Sequence, residues 1–294
     1  MTVLIICGAT ASGKSELALD IAEAIDAEII NADSMQLYKG MDIGTAKLSL
    51  KERRGIPHHL LDVLNVSEDA NVAWYQERAR ELIDSGKNFV IVGGTGLYIK
   101  AIVDDLNFPE TDPEIRQRLN AEAEQYGGAY MHQRLAEKDP IAALAIPVEN
   151  LRRVVRALEV IEITGQPYTA NLPRKESTRY PHALHFGLEI DREVLNQRID
   201  MRVEKMWEQG FIGEVEFLRG EGICEGRTAQ LALGYAQILR HIDGEITEVE
   251  AKEETKLATR QYARRQETWF KRDERIKWLS PEENRRDAIL AAIG

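Results

Sequence analysis

The sequence predicts an α/β fold, a parallel sheet with helices on both faces, which is interrupted by an inserted helical domain. Short all-apolar runs, which suit strands buried on both faces, alternate with helix-period segments over the first hundred residues. Asp112-Pro113 then begins a segment that is almost entirely helical in its pattern. A strand pattern returns at residue 183, which indicates that the chain re-enters the sheet.

The elements follow one another in a strand–helix order that requires parallel strands. Strand patterns cover residues 3–7, 28–30, 89–92 and 183–190. Helix patterns cover residues 17–25, 72–85, 112–165 with breaks, 191–210 and a basic stretch that finishes the chain. We therefore expect residues 1–110 and 182–294 to form the α/β core, and residues 111–181 to form the helical insertion.

Composition narrows the class of protein. The chain has 294 residues, 44% hydrophobic and 30% charged, which is typical of a globular protein with a buried core. No apolar run approaches the roughly 20 residues that span a bilayer, so we expect no membrane contact. Cys7 and Cys224 cannot form a disulfide framework, and such sparing use of cysteine favours a cytoplasmic location.

Residues 8–15 match the phosphate-binding pattern G-x-x-x-x-G-K-[ST] at every fixed position, between a buried strand and a helix. In such a loop, backbone N–H groups and the helix N-terminus surround a di- or triphosphate. The lysine places a charge on phosphate oxygens, and the final hydroxyl can bind Mg²⁺. We therefore expect a P-loop NTPase-like core whose diphosphate-binding residues are Gly8, Ala9, Thr10, Ala11, Ser12, Gly13, Lys14 and Ser15. The loop does not decide which phosphate compound is bound.

Two further strand ends carry chemically useful residues, and ligands of parallel sheets bind beyond the carboxyl ends of the strands. If the strand at 28–30 neighbours the P-loop strand, Asp33 faces the ligand as a Mg²⁺ ligand or a general base. Alternatively, Asp33 caps the turn that follows it. The stretch Gly93-Gly94-Thr95-Gly96 ends the strand at 89–92 and either admits a close approach to the backbone or forms a structural turn.

Charge leaves the question of a polyanionic partner open. The 38 basic and 49 acidic residues give a net charge of −11, which argues against non-specific nucleic-acid binding. However, residues 256–277 contain eight basic and only three acidic side chains. The acidity is therefore concentrated elsewhere in the chain.

Four stretches together resemble the tRNA dimethylallyltransferase (tRNA isopentenyltransferase) family. They are GATASGKS at 8–15, NADSMQLYKGMDIGTAK at 31–47, VGGTGLYIKA at 92–101 and TRQYARRQETWF at 259–270. The matches at 112–116, 152–160 and 198–202 fall in the family's order and spacing. Ala9 and Ser15 stand where the family often has proline and threonine, and serine retains the hydroxyl. The absence of a cysteine-based zinc finger resembles the short bacterial form.

The resemblance implies transfer of the dimethylallyl group from dimethylallyl diphosphate to N6 of the adenosine 3′-adjacent to the anticodon in tRNA. It implies Mg²⁺ as cofactor, a monomer, and catalytic roles for Lys14, Ser15, Asp33 and Thr95, with Asp33 as the general base. Arg202 would join the diphosphate site, although an exposed salt bridge on its helix is an alternative. The anticodon stem-loop would contact Asp33, Ser34, Met35, Gln36, Thr95, Arg116, Arg152, Arg153, Val154, Val155, Arg156, Arg264 and Arg265.

Three other functions use part of the same sequence features. An adenylate isopentenyltransferase would use the same donor with a free adenine nucleotide, but the arginines of the insertion and the basic tail favour tRNA. A small-molecule P-loop kinase does not readily explain the GGTGLY block or the basic helix. A binding module without catalysis would leave Asp33 and Thr95 without a purpose.

Overall fold

The computed structural model describes residues 1–171 and 178–294, and these form two compact units. The first, the α/β unit, comprises Met1–Val103 and Tyr180–Gly294, and the second, the helical unit, comprises Asp104–Arg179. Part of the predicted insertion, residues 172–177, lies outside the described residues. None of the helices in the described ranges combines the length and the apolar character that a membrane span requires.

The α/β unit contains a six-stranded sheet in which every strand pairing is parallel, so the predicted fold class is confirmed. The strands are β1 (Val3–Cys7), β2 (Glu28–Asn31), β3 (His58–His59), β4 (Phe89–Gly93), β5 (Leu184–Leu188) and β6 (Ile276–Leu279). Their spatial order is β3-β2-β4-β1-β5-β6. β4 therefore separates β2 from the P-loop strand, contrary to the neighbouring arrangement considered from the sequence. The carboxyl ends of these three strands still meet at one edge because they are parallel.

Helices cover both faces of the sheet. Those of the α/β unit are α1 (Lys14–Ala24), α2 (Val72–Asp84), α3 (Gly96–Val103), α7 (Arg192–Glu208), α8 (Phe211–Gly220), α9 (Tyr235–Ile242), α10 (Glu248–Phe270) and α11 (Arg285–Ile293). Alternate residues of β1 enter two different cores, which is why the whole strand is apolar. Leu4 and Ile6 pack in one core with α1, whereas Ile5 packs in the other with α2 and α3.

The chain does not finish with its basic helix, which corrects the sequence-based expectation. α10 ends at Phe270, and the basic segment 256–277 continues through a turn into β6 before α11 completes the chain. The outermost residues of β6, Ile276 and Leu279, are buried, and β6 pairs with β5. The high charge of the segment hid this strand from a pattern analysis.

The helical unit contains α4 (Pro113–Lys138), α5 (Pro140–Ala145) and α6 (Leu151–Thr164). As predicted, the Asp112 side chain caps α4 by accepting hydrogen bonds from the N–H groups of Glu114 and Ile115. Gly127 interrupts α4 with a φ of 80° and is one of the breaks within the helix pattern at 112–165. Leu119, Met131, Val154 and Leu158 are among the fully buried residues that form the core of this unit.

Candidate active site

The phosphate-binding loop has the backbone conformation that its sequence predicts. It joins β1 to α1, and Gly8 and Gly13 adopt φ values of 139° and 96°, which glycine tolerates and other residues avoid. In the described part of the chain, no side chain caps the N-terminus of α1. The first N–H groups of this helix are therefore available to an anion, and the helix dipole favours negative charge there.

A cavity of about 280 Å³ opens over this loop at the carboxyl ends of β1, β2 and β4. The charged and hydroxyl-bearing side chains in its lining include those of Lys14, Ser15, Asp33 and Arg202. Two cations and two carboxylates, those of Asp33 and Glu16, thus line the same space beside a helix N-terminus, and Glu16 is already paired with Arg54. The arrangement is suited to a ligand that carries more than one negative charge.

Lys14 and Arg202 are held in this cavity by neutral partners. Lys14 Nζ donates a hydrogen bond to the carbonyl oxygen of Ala9 at 2.6 Å, and Arg202 Nη1 donates to Thr10 Oγ1 at 3.3 Å. Burial, together with the nearby Arg202, lowers the pKa of Lys14 to about 8, whereas Asp33 opposes this shift. Burial also lowers the pKa of Arg202, again opposed by Asp33. A bound anion would stabilise both charges.

Arg202 lines the cavity over the phosphate-binding loop and does not form, with the described residues, the exposed salt bridge considered as its alternative. It is half-buried, and it forms no ion pair with any residue of the described ranges. Its neighbours on α7, Asp200 and Glu204, pair with cations of α10 instead. The Arg202 guanidinium therefore remains available to the cavity.

Asp33 lies just beyond β2 and takes part in both the cavity and the following turn. Its Oδ1 accepts a hydrogen bond from the N–H of Met35 at 3.0 Å, which is the capping contact considered from the sequence. Burial raises the pKa of Asp33, while hydrogen bonds from the turn and the charge of Lys14 lower it. The net upward shift makes the carboxylate a stronger base than an exposed aspartate.

A second cavity, of about 310 Å³, adjoins the first and shares four of its lining residues, Thr10, Asp33, Thr45 and Arg202. The rest of its lining is largely apolar and aromatic, and includes Met35, Val203, Met206, Leu233, Tyr235 and Tyr262. Asp33 therefore stands at the junction of a cationic cavity and an apolar one. Two molecules, one bound in each cavity, could therefore meet at this carboxylate.

The sequence left open whether the glycines at the end of β4 admit a close approach to the backbone or form a structural turn. The contacts around these glycines account for their presence. A Cβ atom at Gly93 would lie 2.2 Å from the carbonyl oxygen of Ala32, and a Cβ at Gly96 would lie 2.2 Å from the Trp269 ring. These glycines are required by packing. The Thr95 side chain contacts the site indirectly, since its Oγ1 accepts a hydrogen bond from the N–H of Ser34 at 3.1 Å.

Residues 42–47, the DIGTAK motif that ends the stretch at 31–47, are held by contacts that sequence analysis missed. The Glu214 carboxylate accepts hydrogen bonds from the N–H groups of Asp42, Ile43 and Gly44, and from the Tyr235 hydroxyl at 2.6 Å. Lys47, whose side chain is only 2% exposed, is paired with Asp42 and Asp62. This motif therefore builds the wall that presents Thr45 and Gln36 to the first cavity.

The predicted RNA-contact arginines of α10 are exposed. Arg264 and Arg265 form no ion pair with the described residues, and Arg265 lies over the Tyr262 ring in the second cavity. Four other cations of the basic segment are paired with carboxylates, namely Lys256, Arg260, Lys271 and Arg275. The available charge on this helix is therefore concentrated at Arg264 and Arg265.

The predicted contacts in the helical unit fall into three groups. Arg152 and Arg153 are exposed and form no ion pair within the described residues. The side chains of Val154 and Val155 are buried in the core of the unit. Arg116 and Arg156 both donate hydrogen bonds to the fully buried Glu159 carboxylate. Of the six predicted residues, Arg152 and Arg153 are the cations most open to a ligand.

The fold and this site define a class of protein: a P-loop α/β protein with a cavity over the phosphate-binding loop, an adjoining apolar cavity and a carboxylate between them. The model of the IPP transferase family matches residues 36–273, which is most of the chain. The chain belongs to the IPP transferase family.

Relatives of known name and structure agree with this assignment. The chain is 56% identical over 287 residues to a tRNA dimethylallyltransferase of Thermobifida fusca, with 95% of this chain and 89% of the relative covered. It is similar to the crystal structure of a Bacillus halodurans tRNA isopentenylpyrophosphate transferase, with 37% identity and a TM-score of 0.70 over 99% of this chain and 94% of that one. A eukaryotic dimethylallyltransferase acting on tRNA aligns with a TM-score of 0.83 and 27% identity, covering 99% of this chain and 77% of that chain.

Proposed function

We propose that this protein transfers the dimethylallyl group from dimethylallyl diphosphate to N6 of the adenosine immediately 3′ of the anticodon in tRNA. The observation that carries the proposal is the position of Asp33 between a cationic and an apolar cavity. Membership of the IPP transferase family and the names of the relatives support it. We also propose that the protein acts as a monomer in the cytoplasm.

The diphosphate of the donor would occupy the first cavity. Charge accumulates on this group as the bond between C1 and oxygen breaks, so cations and N–H dipoles fixed in place stabilise the transition state more than the ground state. Lys14, Arg202 and the N–H groups at the start of α1 are the groups available for this task. Unlike a kinase, the enzyme would keep the whole diphosphate as the leaving group.

The donor set fits Mg²⁺ in the way that P-loop proteins use it. Ser15 lines the cavity beside Lys14, and its hydroxyl together with diphosphate oxygens and water would provide the oxygen ligands that this ion prefers. When bound, Mg²⁺ would neutralise part of the charge of the diphosphate. Ser15 would hold it, and Lys14 would contact the remaining phosphate oxygens.

Asp33 would act as the general base. The exocyclic amine of adenine is a poor nucleophile because its lone pair is delocalised into the ring. As the N6–C1 bond forms and the C1–O bond breaks, a proton leaves N6, and the Asp33 carboxylate would accept it. The raised pKa of Asp33 improves it as a proton acceptor.

The adenine must leave the stacked anticodon loop to reach such a site, as in other enzymes that modify a base. The second cavity adjoins Asp33 and presents apolar and aromatic side chains, which suit a base or a prenyl chain. Arg264 and Arg265 would bind phosphates of the stem-loop from α10, and Arg152 and Arg153 would do so from the helical unit.

An acceptor assay tests the proposed function. The assay incubates purified protein with Mg²⁺, dimethylallyl diphosphate and one of two acceptors, which are AMP and an unmodified tRNA with an adenosine-rich anticodon loop. The masses of the resulting nucleosides are then measured by mass spectrometry. We expect a dimethylallyl mass gain on one loop adenosine. Transfer only to AMP would indicate an adenylate isopentenyltransferase, and consumption of ATP with neither product would indicate a kinase.

A further inference from the structure

Gln266 is a buried polar residue of α10 whose carboxamide joins two parts of the site. The side chain is among the few buried polar ones, at 5% exposure. Its Oε1 accepts a hydrogen bond from the N–H of Thr10 in the phosphate-binding loop at 2.8 Å. Its Nε2 donates a hydrogen bond to the carbonyl oxygen of Gly94, beyond β4, at 2.9 Å. One carboxamide thus links the ends of β1 and β4.

The absence of a side chain at position 94 makes room for this contact. A Cβ atom built on Gly94 would lie 2.1 Å from Gln266 Nε2, so any larger residue would displace the carboxamide. The neighbouring Gly93 serves another purpose, because a Cβ there would meet the backbone of Ala32. Gly94 and Gln266 therefore form a matched pair.

The contacts of Gln266 continue to the turn that carries Asp33. The Tyr262 hydroxyl interacts with the side chains of Gln266 and Thr95, and burial raises the pKa of Tyr262 to about 12, so the hydroxyl stays protonated at neutral pH. Thr95 in turn accepts a hydrogen bond from the N–H of Ser34, the residue after Asp33. A continuous series of polar contacts therefore runs from Thr10 to the Asp33 turn.

We propose that Gln266 is a positioning residue that fixes the phosphate-binding loop at the correct distance from the Asp33 turn. The diphosphate leaves from the reacting carbon, and the proton acceptor takes a proton from the reacting nitrogen. The distance between the bound diphosphate and the Asp33 carboxylate therefore controls the reaction geometry. The kinetic consequence rests on the proposed function, whereas the effect on diphosphate binding does not. Arg264 and Arg265 of the same helix are exposed, so α10 contributes both to the site and to the surface.

The first test replaces Gln266 by methionine, which has a similar shape but cannot form either hydrogen bond. Gln261→Met, at an exposed position of the same helix, is the matched control. We expect kcat to fall by about 10²-fold, the scale of a misplacement near 1 Å, with a smaller change in KM. We expect the Kd for inorganic pyrophosphate to rise roughly three- to tenfold, as for the loss of one hydrogen bond at the loop. The control should change neither quantity by more than about twofold.

Gly94→Ala provides a second variant that leaves Gln266 unchanged in the sequence. The flexible carboxamide can move aside, so we expect the protein to fold and to lose as much kcat as Gln266→Met. The double variant should be no slower than either single one, because both remove the same contact. If the losses in kcat of the two single variants multiply in the double variant, the proposal is overturned. A kcat for Gln266→Met within about twofold of that of the unaltered protein would also overturn it, provided that both proteins are measured below their unfolding transitions.

The pyrophosphate measurement separates this proposal from the proposed function. If the unaltered protein binds pyrophosphate but forms no dimethylallyl product, the proposed function fails and binding alone decides the role of Gln266. An unchanged pyrophosphate Kd in Gln266→Met would then overturn the positioning role, and a raised Kd in both Gln266→Met and Gly94→Ala would support it.

Discussion

At the scale of single residues, the Asp33 side chain combines a structural contact with exposure to the proposed reaction site. Its Oδ1 accepts the N–H of Met35, and the carboxylate still faces two cavities. The raised pKa reflects burial, and it is limited by Lys14 and by the hydrogen bonds of the turn. The turn fixes the carboxylate in place, and burial tunes its basicity.

Lys14 gives a residue-scale prediction that depends on pH. Its pKa is lowered to about 8, so the free protein loses this positive charge as the pH rises through that value. We expect pyrophosphate affinity, measured by calorimetry, to decline over the same range. In Lys14→Arg the guanidinium stays charged, so only the titration of pyrophosphate itself should remain. An equal alkaline decline in both proteins would show that Lys14 is not responsible.

Residues inside continuous motifs were predictable, whereas residues that arrive from distant elements were not. Lys14, Ser15 and Asp33 stand at fixed places after strands, where physics and resemblance agree. Glu214 carries no local signal, because it acts on a loop 171 residues away in the chain. Gln266 lies inside the quoted stretch at 259–270, but nothing in that stretch indicates that its side chain reaches the phosphate-binding loop, 256 residues away. Only the folded arrangement shows that Glu214 supports the DIGTAK loop.

At the scale of elements, α10 has two faces with different tasks. Tyr262, Ala263 and Gln266 are directed into the protein, and Arg264 and Arg265 are exposed. The sequence predicted a basic helix here, but the net charge of the segment overstated the number of cations that are free to bind a ligand. Lys256 and Arg260 are occupied by carboxylates of α7.

The difference between the unpaired and the paired cations of α10 can be tested with two matched double variants. We expect the double variant Arg264→Gln, Arg265→Gln to bind an anticodon stem-loop RNA more weakly. The plot of log K against log salt should also become shallower, its negative slope decreasing in magnitude by roughly 1.5 to 2. Lys256→Gln with Arg260→Gln removes the same charge from the same helix, yet it should change the slope far less because those cations are already paired. Equal slope changes for the two pairs would place the RNA elsewhere.

Glu159 is the structural centre of the helical unit. It is fully buried, and it accepts hydrogen bonds from Arg116, Arg156 and the N–H of Asp112. We expect Glu159→Gln to destabilise this unit by about 3 kcal/mol, since it leaves two arginines without their carboxylate. Hydrogen exchange over residues 104–171 measures the loss, and exposed Glu149→Gln is the control. Unchanged exchange protection would show that the arginines do not depend on this carboxylate.

Elements with strong periodicity were predicted well, and short or highly charged ones were not. β1 and α1 follow from apolar spacing alone. β3 has two residues, too few for a period, and the charge around β6 concealed its two buried ends. Both strands depend on pairing within the completed sheet rather than on local preference.

At the scale of the whole molecule, a net charge of −11 coexists with exposed arginines in both units. If Arg152, Arg153, Arg264 and Arg265 each neutralise one phosphate, log K for the stem-loop RNA should fall against log salt with a slope of about −3 to −4. Titrations at several salt concentrations measure this slope. A value near zero would contradict binding through these arginines.

The central claim is that Asp33 accepts the proton of N6 while the phosphate-binding loop holds the diphosphate. The most direct test is the single-turnover rate of Asp33→Asn with saturating dimethylallyl diphosphate and tRNA, because asparagine keeps the oxygen that accepts the N–H of Met35. We expect this rate to fall by roughly 10²-fold or more while both substrates bind as before. An unchanged rate with weakened tRNA binding would contradict the claim and make Asp33 a residue that positions the RNA.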